Sequence, residues 1–196
     1  MKGKLIVLYG INNLGKTTQA KLTVEELKKQ GIQAEYLKYA TYDLEPSGMI
    51  INDYFRNGDP YKLSARELQI MQAFNRTQYE PILKSKLEQG IWIVAEDYTQ
   101  TGIAWGVGNG IDKEFLERIN SHLLKEDLVF FFEGERFKGA IEKGHQHENN
   151  EELTQKVKLV HEELAKKHNW ISINANESIE SIQKAVQTII KQKLQI

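Results

Sequence analysis

Two short stretches carry residues whose types and spacing could do chemistry. Residues 10–18 read GINNLGKTT, which fits G-x-x-x-x-G-K-[ST] with Gly10, Gly15, Lys16 and Thr17 at the defining places. Glycines at those places let the backbone curl so that its N–H groups point inward at phosphate oxygens. A lysine in that curl adds a point charge near the terminal phosphates, and the Thr17 hydroxyl can ligate Mg²⁺. Gly10, Asn12, Asn13, Leu14, Gly15, Lys16, Thr17 and Thr18 are therefore the expected contacts of a nucleoside triphosphate. The competing reading is a chance match in a glycine turn. Against it, the motif follows an expected strand and opens an expected helix, whose positive end would face the same anion.

The second stretch is IWIVAEDYTQTG, residues 91–102. An apolar run ends in two adjacent carboxylates, Glu96 and Asp97, and buried carboxylates are costly unless something positive meets them. Mg²⁺ takes few protein carboxylates and keeps several waters, so Glu96 suits an outer contact to a metal held by Thr17. The alternative is a carboxylate that pairs with Lys16 or another lysine. Upstream, Arg76 lies on an expected helix and its planar fork suits a bidentate grip on phosphate. Its plainer reading is a surface pair with Glu80, one helical turn on.

The elements that must position these groups alternate along the chain. Strands are expected at 5–9, 33–39, 91–95, 128–132 and 170–174. Helices are expected at 16–30, 49–56, 64–89, 112–124, 151–168 and 178–194. Ser64 and Glu67 form a capping box, while Pro81 should kink or divide that helix. Residues 42–48 read as a loop, and 99–110 as a glycine-rich stretch. The strand at 91–95 is apolar throughout, as expected when both faces are covered. Alternation of this kind implies a three-layer α/β fold with a parallel sheet and right-handed crossovers. The whole of 1–196 reads as one domain, with a polar lid loop at about 134–150.

Composition narrows the classes. The net charge of -1 leaves no basic footprint for nucleic acid or an anionic membrane. No apolar run is long enough to span a bilayer, and the N-terminus lacks a signal-peptide pattern. With no cysteine, thiolate metal sites and disulfides are excluded, which fits a cytoplasmic protein.

The order of motifs resembles the thymidylate kinases. LYGINNLGKTTQA is similar to that family's opening, F-E-G-x-D-x-x-G-K-[ST]-T-Q. IINDYFRNG and AFNRTQYEPILKSKLEQG resemble its middle, with an Asn-Arg pair at Asn75–Arg76. AEDYTQTGIAWG stands where the family has D-R-[YH] and a loop with serine and glycine, and WISINANESIESI resembles its closing strand and base loop. The resemblance implies a P-loop NTPase sheet of order 2-3-1-4-5, a lid after strand four and often a homodimer. It implies Mg²⁺- and ATP-dependent conversion of dTMP to dTDP. Glu96 would stand for the aspartate that orders the metal's water shell, and Asn176 would lie near adenine. Arg136, with Lys138 and Lys143, would bring lid charge over the moving phosphoryl. Asp43, Phe74, Arg76, Asp97, Tyr98, Thr101 and Gly102 fall at acceptor positions. Phe74, Tyr98 and Trp105 could wall the base or simply pack in the core, and His145 and His147 read as polar lid residues.

The departures from the family are specific. Tyr9 replaces a glutamate and Asn12 an aspartate, Asn13 stands where an arginine sometimes occurs, and the base-stacking aromatic aligns near Gln72. Asp97 replaces the arginine that grips the acceptor's phosphate. Either Asp97 turns away, or it pairs with Arg76, or the acceptor carries no phosphate there. Two alternatives follow. The chain could be a deoxynucleoside kinase or a kinase of another monophosphate, or it could be a nucleotide-binding regulator without turnover.

Overall fold

The computed structural model describes residues 2–137 and 150–196. Five parallel strands form one sheet in the order β2-β3-β1-β4-β5. They are β1 (Leu5–Tyr9), β2 (Ala34–Lys38), β3 (Trp92–Glu96), β4 (Leu128–Glu133) and β5 (Ile171–Asn174). Seven helices occur among the described residues: α1 (Lys16–Lys29), α2 (Ser47–Arg56), α3 (Ala65–Glu88), α4 (Thr99–Gly108), α5 (Lys113–Asn120), α6 (Glu151–His168) and α7 (Ile179–Leu194). The fold and strand order are those expected from the sequence. None of these helices is long and apolar enough to cross a membrane.

The three layers follow from the two-residue period of a strand. In β1, Ile6 and Leu8 join the cluster that holds Ala20, Val24 and Leu27 of α1 and Val186 of α7. Leu5, Val7 and Tyr9 point the other way, onto Leu83 and Leu87 of α3. In β3, Trp92 and Val94 divide from Ile93 and Ala95 in the same sense. All five residues of each of these central strands are buried. Each such aliphatic side chain contributes roughly 1.5–3 kcal/mol on leaving water.

Some local expectations need correction. Of the two outcomes expected at Pro81, division does not occur, and α3 runs unbroken from Ala65 to Glu88. Buried residues lie on both sides of the proline, Leu68 and Ala73 before it and Leu83 and Leu87 after it, so packing holds the two halves in one helix. The capping box is present, with the Glu67 amide donating to Ser64 Oγ at 3.3 Å and the Ser64 amide to Glu67 Oε2 at 2.8 Å. The glycine-rich stretch, which had no expected element, forms α4. A Cβ at Gly102 would lie 2.6 Å from Arg76 Nη2, at Gly106 2.6 Å from Leu116 Cδ1, and at Gly108 2.7 Å from Val157 Cγ2. These glycines let α4 nest against α3, α5 and α6, and that packing outweighs their poor helix propensity. Finally, α5 stops at Asn120 rather than near 124, because the chain turns to bury Leu123 and to place the Leu124 amide 2.7 Å from Glu80 Oε1.

Candidate active site

Where β1 ends, the chain enters left-handed backbone at Gly10, Asn13 and Gly15, with φ of 137°, 65° and 75°. A Cβ at Gly10 would stand 2.4 Å from the Phe132 carbonyl oxygen, so only glycine fits. Asparagine is among the few other residues that enter this region readily, which gives a backbone reason for Asn13. Gly15 opens α1 without any side-chain cap, and the first turn carries no acidic residue. The positive end of α1 thus faces the cradle, as an anion site requires.

Lys16 is buried and folds back on the loop, donating to the carbonyls of Gly10 at 2.9 Å and Ile11 at 2.7 Å. Its ammonium also stands 3.6 Å from Asp97 Oδ1. Beside it, the Thr17 hydroxyl donates to Glu96 Oε2 at 2.6 Å, and the Tyr36 hydroxyl donates to the same oxygen at 2.7 Å. Lys38 Nζ lies 3.4 Å from Glu96 Oε1. Burial alone would push the Glu96 carboxyl up. The charges of Lys16 and Lys38 and the two hydroxyls outweigh it, holding Glu96 below its usual value. Asp97 goes the other way. Burial, with Glu96 next door, raises it against the pull of Lys16, Lys38 and the Thr101 hydroxyl, which donates at 3.0 Å. One carboxylate is therefore kept ionised and its neighbour is held less acidic.

Opposite the loop, Arg76 is buried on α3. Its Nη1 donates to Asn120 Oδ1 at 3.1 Å and its Nη2 to Gln72 Oε1 at 3.5 Å. Its Nε has no hydrogen-bond partner among the described residues. The surface pair with Glu80 is absent, because Glu80 accepts from Lys84 at 2.9 Å and from the Leu124 amide. Asn75, the other half of the Asn-Arg pair, staples the chain after β2. Its Nδ2 donates to the Thr41 carbonyl at 3.0 Å and to Ser47 Oγ at 2.9 Å, and its Oδ1 accepts from the Thr41 amide at 2.9 Å.

Between loop and α3 lies a cavity of about 760 Å³. Asn12, Asn13, Leu14, Gly15, Lys16, Thr17, Thr18, Arg76, Glu96, Asp97 and Thr101 all line it, as do Gln72 and Trp105. Others do not. Phe74 is 42% exposed on the outer face of α3, neither base wall nor core. Gln72 and Arg76, four apart, share the inner face, and Phe74 lies midway, about half a turn round. Tyr98 is fully buried, its ring 5.0 Å from that of Tyr39, so it is core. Asp43 is exposed and outside the lining, where its neighbour Tyr42 borders the cavity instead. Gly102 contributes only the space in which Arg76 rests. Arg136 Nη1 is 3.1 Å from Glu151 Oε2 and also lies outside the lining. Asn176 spends its amide on Glu135, accepting from its N–H at 2.7 Å and donating to its carbonyl at 2.9 Å, while Ala175 and Glu177 reach the cavity. Lys138, Lys143, His145 and His147 lie outside the described residues.

Sequence reasoning passed over Lys38, Tyr39, Phe55, Arg56 and Phe137, all of which line the cavity. One signal was available: Lys38 ends β2 beside the strand that carries the acidic pair. Phe137 has none, since it is brought over the loop by a hydrogen bond from its amide to the Asn13 carbonyl, at 2.9 Å, which no local pattern records.

A model of the thymidylate kinase family matches residues 8–186. A relative from Invertebrate iridescent virus 6 is 31% identical over 192 residues, spanning 97% of this chain and 89% of its own length. Human thymidylate kinase is 27% identical, spanning 96% of this chain and 90% of its own. Among solved structures, thymidylate kinase from Candida albicans superposes with a TM-score of 0.79 over 97% of this chain and 92% of its own. At 23% identity, that likeness shows the fold.

Proposed function

The chain belongs to the thymidylate kinase family, and from that premise we propose that it transfers the γ-phosphoryl group of ATP to dTMP. An oxygen of the dTMP phosphate attacks the γ-phosphorus, the bond to the β-phosphate oxygen breaks, and dTDP and ADP leave. Catalysis is by positioning and charge, without a covalent enzyme intermediate. The observation that carries this reading is the 2.6 Å contact between the P-loop Thr17 and Glu96, on the wall of a cavity that also holds Lys16 and Arg76.

In this reading the loop from Gly10 to Thr18 holds the triphosphate, and Lys16 turns from its own carbonyls to the transferring group. Arg76 faces the acceptor. Thr17 and Glu96 present hard oxygen donors side by side, a donor set that suits Mg²⁺, which would offset charge on the phosphates. Lid charge from Arg136 needs movement away from Glu151. The homodimer expected of the family is proposed along α3, where Ile70, Phe74 and Ile82 stand exposed.

Buried Asp97 supports a second reading, in which the acceptor is a deoxynucleoside with no phosphate to repel. An ADP-release assay across nucleosides and monophosphates separates the two. Turnover should be fastest with dTMP. Turnover with thymidine but not dTMP would support the second reading, and tight ATP binding with no acceptor turned over would leave a nucleotide-binding regulator.

A further inference from the structure

In-line transfer brings the acceptor oxygen to about 3–3.5 Å from the γ-phosphorus. With the γ-phosphate beside Lys16 and Thr17, the acceptor's own phosphate must stand near Glu96 and Asp97, which contact those two residues. A phosphate monoester carries about −1.5 to −2 charge, so two carboxylates there repel it. Four cationic side chains line the cavity among the described residues: Lys16, Lys38, Arg56 and Arg76. Lys16 is committed to the triphosphate loop. Arg76 faces the acceptor from α3 with its two terminal nitrogens bonded to Asn120 and Gln72, and Arg56 lies over the Tyr42 ring, 4.7 Å from its centroid. Lys38 differs from all three. It closes β2 in register with Glu96, reaches that carboxylate at 3.4 Å, and keeps its side chain 48% exposed.

We propose that Lys38 is a substrate-contacting residue whose ammonium moves from Glu96 to the phosphate of dTMP and supplies the positive charge that Asp97 withholds. This rests on the dTMP kinase reading above. The plainer role is a brace between β2 and β3, but a half-exposed ion pair contributes little to stability and would not tell a nucleotide from its nucleoside.

Calorimetric titration of dTMP and of thymidine, without ATP, tests the assignment on the wild-type chain and on Lys38→Met and Lys38→Arg. The wild type should bind dTMP more tightly than thymidine. Lys38→Met should weaken dTMP by at least about tenfold and leave thymidine within about twofold, and Lys38→Arg should recover most of the loss, as expected for a charge-assisted contact. Equal losses for both ligands, no loss for dTMP, or a wild type that binds the two alike would each overturn it. Melting temperatures show whether the variants fold, and Lys38→Gln replaces Lys38→Met should that variant unfold. The two claims fail separately. A chain that binds dTMP through Lys38 yet releases no ADP sinks the kinase reading alone. Turnover of dTMP with the same KM in Lys38→Met sinks the Lys38 assignment alone.

Discussion

Glu96 and Asp97 are chain neighbours with opposite electrostatic surroundings. Glu96 completes β3 in register with Lys38, so its side chain meets Thr17, Tyr36 and Lys38. Asp97 leaves the strand with φ of 61°, a geometry that aspartate tolerates better than most residues. Its carboxylate consequently turns to Lys16 and Thr101. Pairing with Lys16 is a contact that the sequence reading, with its choice among turning away, pairing with Arg76 and an acceptor without phosphate there, did not name. A bare carboxylate at 4 Å repels a unit negative charge by about 4 kcal/mol at an effective dielectric near 20. Lys16 at 3.6 Å cancels much of that. Asp97→Asn should therefore raise dTMP affinity relative to thymidine by about tenfold rather than a thousandfold. Titration of both ligands checks this, and an unchanged ratio would show that Lys16 already neutralises the charge completely.

At the level of elements, α4 carries the clearest lesson. Three glycines in ten residues argue for a loop when propensity is read alone, and neighbouring helices turn the same glycines into a packing surface. Gly102 and Gly106 then make different demands. At Gly102 an added methyl meets the flexible end of Arg76, at 2.6 Å from Nη2, whereas at Gly106 it meets Leu116, at 2.6 and 2.8 Å from its two Cδ atoms. Gly102→Ala should displace the guanidinium, raising the KM for dTMP several-fold with little change in melting temperature. Gly106→Ala should lower stability by about 1–3 kcal/mol through overpacking. Paired denaturation and kinetic measurements check both, and a stability loss at Gly102 equal to that at Gly106 would contradict the distinction. The α3 capping box was readable because it depends on residues three apart; whether Pro81 would kink or divide the helix was not settled, because its continuity depends on packing against α2 before the proline and the sheet after it.

For the molecule as a whole, His161 links the core to pH. It is fully buried on α6, with Nδ1 3.1 Å from the Val157 carbonyl, and Nε2 has no hydrogen-bond partner among the described residues. Burial, with help from the charge on Lys16, lowers its pKa from 6.5 to about 3. The unfolded chain therefore binds the extra proton first, and stability falls as pH drops from about 6.5 toward 3. The slope is at most about 1.4 kcal/mol per pH unit. Glu96 contributes in a lower window, since its stabilisation is present above its unfolded value of 4.5 and is lost as pH falls through the depressed folded value. Asp97, raised, acts in the opposite sense to Glu96. Urea unfolding at pH 6.5 and pH 5 should thus show a loss in the wild type that His161→Leu largely removes. Equal losses in both would place the proton uptake elsewhere.

The order of the strands along the chain, every described helix but α4, the P-loop and the acidic end of β3 were determined by the sequence alone. Their signals are local: apolar runs of strand length, glycines and a lysine at set spacing, and caps three residues apart. Which side chains meet across the cavity was decided only by the tertiary structure. Lys38 reaches Glu96 because β2 pairs with β3, Phe74 turns outward because Gln72 and Arg76 take the inner face of α3, and Asp97 finds Lys16 because β1 and β3 end together. Such contacts join residues tens of positions apart, and no pattern along the chain records a distance that only folding closes.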